Sequence, residues 1–299
     1  MNNFWQRTIT GIVFVAVMMS AIYFGYTFWL FLVICFFGLR EFYTLMYGQK
    51  QNLTAKIYGI VGGMVVYTML GIILTHSMFY LELRKFGGRP DSLSILMPLF
   101  LVVLLIELFR KHPDAIKNLS VTLLGWVYVA VPFAIGYILD SEATRAYSSY
   151  LNISSKIPFL ICIFFLIWTN DVFAYLTGRL IGRTPLFTRI SPKKTIEGTL
   201  GGAILTMVVA FFLQNQLPAP YTGNFAFALL LGIVVAVMGI LGDLIESKFK
   251  RQLNIKDSGN ILPGHGGILD RFDSFIYIVP WVYLLGNIVD VLPKSGLIK

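Results

Sequence analysis

Acidic side chains are scarce in this chain: 15 of its 299 residues are Asp or Glu. Charge of either sign is sparse too, at 13% of residues against about 25% in soluble domains. Apolar residues take up 57% of the chain, more surface than a soluble core encloses, so the chain reads as an integral membrane protein. The same composition excludes intrinsic disorder, which needs low hydrophobicity and high charge. The two cysteines, Cys35 and Cys162, sit inside apolar runs. That argues against a disulfide framework or a thiolate zinc site, and both read as small packing residues. Of the three histidines, His76 and His112 fall at the ends of apolar segments and read as interfacial. The third, His265, has no second His or Cys at zinc-ligand spacing. No Walker A motif, G-x-S-x-G, H-E-x-x-H or dinucleotide fingerprint in context occurs, which speaks against an ATP-driven pump, a serine esterase and a zinc protease.

Long hydrophobic runs are what the chain does have. A bilayer core of about 30 Å takes about 20 apolar residues in a helix. Nine stretches qualify: about 8–24, 27–47, 55–77, 93–110, 120–139, 157–178, 198–216, 224–246 and 273–292. The expected fold is therefore an all-α, polytopic membrane protein. It is read as one transmembrane domain over 1–299, with N-terminal helices in 1–150 and C-terminal helices and loops in 157–292. The first run follows Arg7 and lacks a clean small-residue cleavage site, so it is expected to stay as a span. Placing the N-terminus in the cytoplasm puts 16 Lys and Arg residues in cytoplasmic segments against 7 on the other side, the usual bias. The net charge of +9 follows from those loops and from anionic headgroups. Nucleic-acid binding is not expected, since no soluble basic module is long enough. Gly59 with Gly63, and Gly178 with Gly182, have the spacing of close helix contacts.

Three stretches place costly polar residues beside lipid, all on the expected cytoplasmic side. In "WTNDVFAYLTGRLIG" (168–182), Asp171, Tyr175 and Gly178 share one helix face. Asp171 either pairs with an arginine of another helix or serves a substrate or ion. In "RISPKKTIEGTLGG" (189–202), Lys193 and Lys194 precede a Gly-rich helix opened by Glu197. They form either a phosphate cradle or an ordinary cytoplasmic basic loop. The third stretch, residues 242–274, holds five of the acids: Asp243, Glu246, Asp257, Asp270 and Asp273. Asp243, Glu246, Ser247 and Lys250 fall on one helical stripe, and Asp270 and Asp273 share a face on the next helix. Carboxylates brought together repel unless a cation lies between them. Hard oxygen ligands suit Mg²⁺, which binds through one or two carboxylates and substrate phosphates. Gly264, Gly266 and Gly267 leave backbone N–H groups open to an anion, and Lys248, Lys250, Arg251, Lys256 and Arg271 surround them with positive charge. This pattern reads as metal-dependent phosphate transfer at the membrane surface. His265 is open to three functional roles, metal ligand, general acid or phosphate donor, or to a loop-ordering hydrogen bond.

The run from Ser247 to Asp273, "SKFKRQLNIKDSGNILPGHGGILDRFD", resembles the signature of phosphatidate cytidylyltransferases, also called CDP-diglyceride synthases. The match runs through Ser247, Lys250, Arg251, Lys256, Asp257, Pro263, His265, Gly266, Gly267, Asp270, Arg271 and Asp273. "SPKKTIEG" and "NDVFAYLTGRLIG" also resemble that family, so the resemblance is strong over roughly 165–275 and rests on hydropathy before that. It implies CTP and phosphatidic acid as substrates, CDP-diacylglycerol and pyrophosphate as products, membrane lipids as surroundings, and a homodimer. The nucleophile, a lipid phosphate oxygen, is already ionised, so no strong base is needed. Bringing two anions together is the obstacle, and metal ions and cations meet it. On this reading Asp243 and Asp270 hold Mg²⁺, the number of metal ions being open, with Asp273 and Asp257 as further ligands or orienting groups. Lys193, Lys194, Lys250, Arg251 and Arg271 hold phosphates, Gly264 to Gly267 supply backbone donors, and Asp171 completes the site or contacts the nucleotide. A bacterial inner membrane is the expected location. The rival readings are a transporter or channel, a CDP-alcohol phosphotransferase, whose D-G-x-x-A-R core is absent, and a polyprenol kinase.

Overall fold

A computed structural model describes residues 3–48, 52–75, 92–110, 113–150, 157–218, 221–261, 264 and 266–291. The helices are α1 (Asn3–Tyr23), α2 (Thr27–Tyr47), α3 (Leu53–Thr75), α4 (Ser92–Phe109) and α5 (Ala115–Gly125). After them come α6 (Val131–Tyr150), α7 (Phe159–Ile181), α8 (Ile196–Leu213), α9 (Phe225–Gln252) and α10 (Leu269–Val291). Each of the nine expected apolar stretches is helical over most of its described residues. Among the described residues, seven helical segments are long and apolar enough to cross a bilayer, with α5 and α6 counting as one; the apolar parts of α1 and α4 are shorter. Large side chains such as Leu180 and Phe212 point outward, 80% and 73% exposed, as lipid-facing residues do.

Two boundaries differ from the expected ones in a way that matters. Helix α9 runs six residues past the expected end, to Gln252, and α10 begins four residues early, at Leu269. The polar end of α9 stays helical because its side chains pair one turn apart. Ser247 Oγ donates to Asp243 Oδ1 at 3.1 Å, and Lys250 Nζ meets Glu246 Oε2 at 2.5 Å. Asp243 is therefore about 2.5 turns inside α9 rather than at its tip.

An antiparallel hairpin, β1 (Pro185–Phe187) and β2 (Ser191–Thr195), joins α7 to α8 and was not anticipated. Strands of three and five residues are too short to carry an alternating pattern. Thr195 then caps α8, its Oγ1 accepting from Gly198 N at 3.1 Å.

Glycines set the tightest crossings. A Cβ on Gly198 would lie 2.6 Å from Ala174 O and 2.9 Å from Gly178 Cα, so α7 and α8 touch backbone to backbone. The expected Gly178–Gly182 contact surface is thus real, with Gly198 and Thr195 as its partners. A Cβ on Gly242 of α9 would lie 2.7 Å from Asp273 O of α10. Helix α10 is pinned from the other side by an aromatic cluster. Phe164 stacks on Phe275 at 4.9 Å, and Phe31 and Phe133 pack edge-on and tilted against the same ring. Between α5 and α6 the helix widens into a single π-turn, Trp126–Ala130. Trp126 Nε1 donates to Gly59 O at 2.8 Å, while Tyr128 sets its ring edge on Phe249 of α9.

Candidate active site

The site lies where the polar end of α9 meets the start of α10. Lys250 of α9 bridges two carboxylates, Glu246 Oε2 at 2.5 Å and Asp270 Oδ1 at 2.8 Å. Asp270 is fully engaged: its other oxygen accepts the backbone N–H of both Ser258 and Gly267, each at 2.8 Å. One backbone donor expected to face a substrate phosphate, that of Gly267, therefore binds a protein carboxylate. Gly264 and Gly266 have φ of +77° and +83°, which glycine alone adopts readily, and these turn the loop back onto α10. Asp257 lies against Gly266 within the same loop.

Five carboxylates gather around the crossing. Asp273 lies within electrostatic reach of Asp243, Asp171 and Lys250, and Glu246 within reach of Asp273 and Asp270. Tyr128, from the π-turn, has a buried hydroxyl without a hydrogen-bond partner, within electrostatic reach of Glu246 and Asp273. Lys194 reaches in from β2 to form an ion pair with Asp243. The hairpin packs beside α7, where Thr195 lies against Gly178 and Gly182 and Lys193 and Lys194 share a cavity wall with Asp171.

Two cavities meet at Asp171. One, of about 420 Å³, is lined by Asp171, Lys193, Lys194, Arg179, Thr199 and Asp243 among others. Asn170 forms part of its wall, with a buried Oδ1 that has no hydrogen-bond partner. The other, of about 210 Å³, runs between α1, α7 and α10. Apolar groups such as Phe14, Met18 and Trp168 line it, and Asp270, Arg271 and Asp273 lie at its polar end.

The structure thus brings together Asp171, Lys193, Lys194, Asp243, Ser247, Lys250, Asp257, Gly266, Gly267, Asp270, Arg271 and Asp273. Arg251, Lys256 and Gly264 are exposed and line neither cavity. Pro263 and His265 lie outside the described residues. Sequence reasoning missed Glu41 of α2, a buried acid whose contacts lie more than two hundred residues away along the chain. A carboxylate inside the apolar run 27–47 was the one available signal.

The donor set fits a hard cation in chemistry, being carboxylate oxygens gathered around Lys194 and Lys250. No three His, Cys, Asp or Glu side chains among the described residues form a ready-made cage. Mg²⁺ does not need one, since one or two carboxylates and substrate phosphates suffice.

A sequence profile described as the cytidylyltransferase family matches residues 5–289. A phosphatidate cytidylyltransferase of Bacillus subtilis (strain 168) is 37% identical over 223 residues, covering 73% of this chain and 77% of its own. One from Staphylococcus epidermidis is 37% identical over 218 residues, covering 72% and 78%. One from Staphylococcus haemolyticus is 35% identical over 222 residues, covering 72% and 78%.

Proposed function

The chain belongs to the cytidylyltransferase family, and from that membership we propose that it converts CTP and phosphatidic acid into CDP-diacylglycerol and pyrophosphate. A phosphatidate oxygen forms the new bond to the α-phosphorus of CTP, and the bond from that phosphorus to the bridging oxygen of pyrophosphate breaks. Both reactants are anionic, so the protein must neutralise and align them. The observation that carries this reading is the convergence of Asp171, Asp243 and the paired lysines of the hairpin on one cavity beside the α9–α10 crossing.

In this reading Lys193 and Lys194 hold phosphate groups at the mouth of the larger cavity, with Arg271 on the side of the apolar one. The apolar cavity, bordered by α1, suits the lipid reactant. Mg²⁺ would be held by Asp243 together with Asp273, which adjoin at the glycine crossing. Asp270, expected as the second ligand, would join them only by giving up Lys250. When bound, the ion supplies charge neutralisation for the phosphates. The chain's own part is to orient Lys250 through Glu246 and Asp270, and to tie Ser258 and Gly267 to the start of α10. The remaining features of the reading are a cytoplasmic N-terminus and site, a homodimer, and residence in a bacterial inner membrane.

The test uses purified protein in detergent with phosphatidic acid, Mg²⁺ and CTP labelled in the base. Label entering lipid with release of one pyrophosphate per turnover is the expected result. Release of CDP with phosphorylated lipid would indicate a kinase, and no lipid labelling would reject the assignment.

A further inference from the structure

We infer that Glu41 is a positioning residue for the reaction: from α2 it reaches across the chain to hold residues 258–259 and 267–269, at the two sides of the loop, in their working shape. The inference rests on reading that loop as part of the reaction site. Glu41 belongs to α2 and is 5% exposed. Its Oε2 accepts the backbone N–H of Leu269 at 3.0 Å and the hydroxyl of Ser258 at 3.3 Å. These two residues mark the two ends of the loop. Leu269 is also the first residue of α10, where N–H groups lack helical partners and the helix dipole favours an anion.

The contact is built into the loop sequence. A Cβ on Gly259 would lie 2.8 Å from Glu41 Cδ, and one on Gly267 would lie 2.5 Å from Glu41 Oε2. Glycine at both positions therefore makes room for this carboxylate. Asp270 grips the same segment from the opposite side, through Ser258 N and Gly267 N. Ser258 is thus held twice, by its hydroxyl to Glu41 and by its N–H to Asp270. Asp270 in turn fixes Lys250. Among the described residues, the hydrogen bonds of Glu41 go to the loop and to the start of α10, so its effect passes through the loop.

The test compares Glu41→Ala, Glu41→Gln and Ser258→Ala in the full-length protein in detergent. Three readouts apply: kcat, KM for CTP, and hydrogen exchange of peptides covering 256–268. Glu41→Ala should lower kcat about 10- to 100-fold, as loss of charged hydrogen bonds at a positioning group does, and Glu41→Gln by less because one acceptor oxygen survives. Exchange should rise in the loop and the first turn of α10 and stay unchanged at the α7–α8 crossing. Ser258→Ala should add little to Glu41→Ala, because both remove the same contact. Wild-type kcat with wild-type loop exchange in Glu41→Ala would overturn the inference, as would exchange rising evenly through the protein. If Glu41→Ala does not fold, Glu41→Gln decides by the same criteria. Exchange is read without substrates, so it judges the clamp even if the assigned reaction fails.

Discussion

Replacing Lys250 with methionine tests the electrostatic logic of the site most directly. Lys250 lies between Glu246 at 2.5 Å and Asp270 at 2.8 Å, and the three side chains are 16%, 5% and 7% exposed. Methionine keeps most of the volume but leaves two buried negative charges facing each other, with Asp273 close by. Removing one partner of a buried ion pair costs about 3–5 kcal/mol, a large share of a total stability of about 5–15 kcal/mol. Lys250→Met should therefore unfold at a markedly lower temperature, followed by loss of the monodisperse peak on heating in detergent. Removing one of the stranded charges as well, in Glu246→Gln/Lys250→Met, should recover much of that loss while leaving turnover low. Acidification neutralises carboxylates, so the gap between Lys250→Met and wild type should narrow as pH falls. A single variant as stable as wild type, or a double variant no more stable than the single, would refute the reasoning.

Asp243→Asn should cut turnover by about 100-fold or more if Asp243 faces the reacting phosphates. Its melting temperature should barely move, because the Lys194 pair is about one-third exposed on both sides; unchanged turnover would remove it from the site. Gly198→Leu should destabilise by at least about 1–3 kcal/mol through overpacking, since its Cβ would meet backbone atoms of α7. Thermal unfolding measures this, and Gly198→Ala should fall between the two. Chelating divalent cations should stop turnover and added Mg²⁺ should restore it, as measured by lipid labelling; turnover persisting under chelation would count against the metal assignment.

The membrane helices were legible because each carries its own signal: a run such as 27–47 is apolar enough to declare itself without reference to the rest of the chain. The acid-rich stretch 242–274 was legible because charge there is expensive and therefore conspicuous. Contacts that depend on chain segments far apart were not legible. Nothing near Glu41 marks it as a partner of Leu269, and nothing near Asp270 shows that Ser258 and Gly267 will use its second oxygen. The hairpin was hidden because Pro185 and Pro192 punctuate strands too short to show alternation. The end of α9 was misplaced because hydropathy falls at Asp243 whereas the helix, supported by its own side-chain pairs, continues to Gln252.

The widened turn at Trp126–Ala130 contains one residue more than a regular helix would use over the same rise. Excising a single residue there would let the rod close into ordinary geometry, with Gly125 below and Phe133 above keeping their bearings. This makes it a rare place where a shortened helix should still insert and pack. What would go is the swell that keeps the Tyr128 hydroxyl within electrostatic reach of the acids of the neighbouring rods. A shortened chain that assembles normally yet works poorly would show that the irregularity is retained for chemistry rather than for architecture.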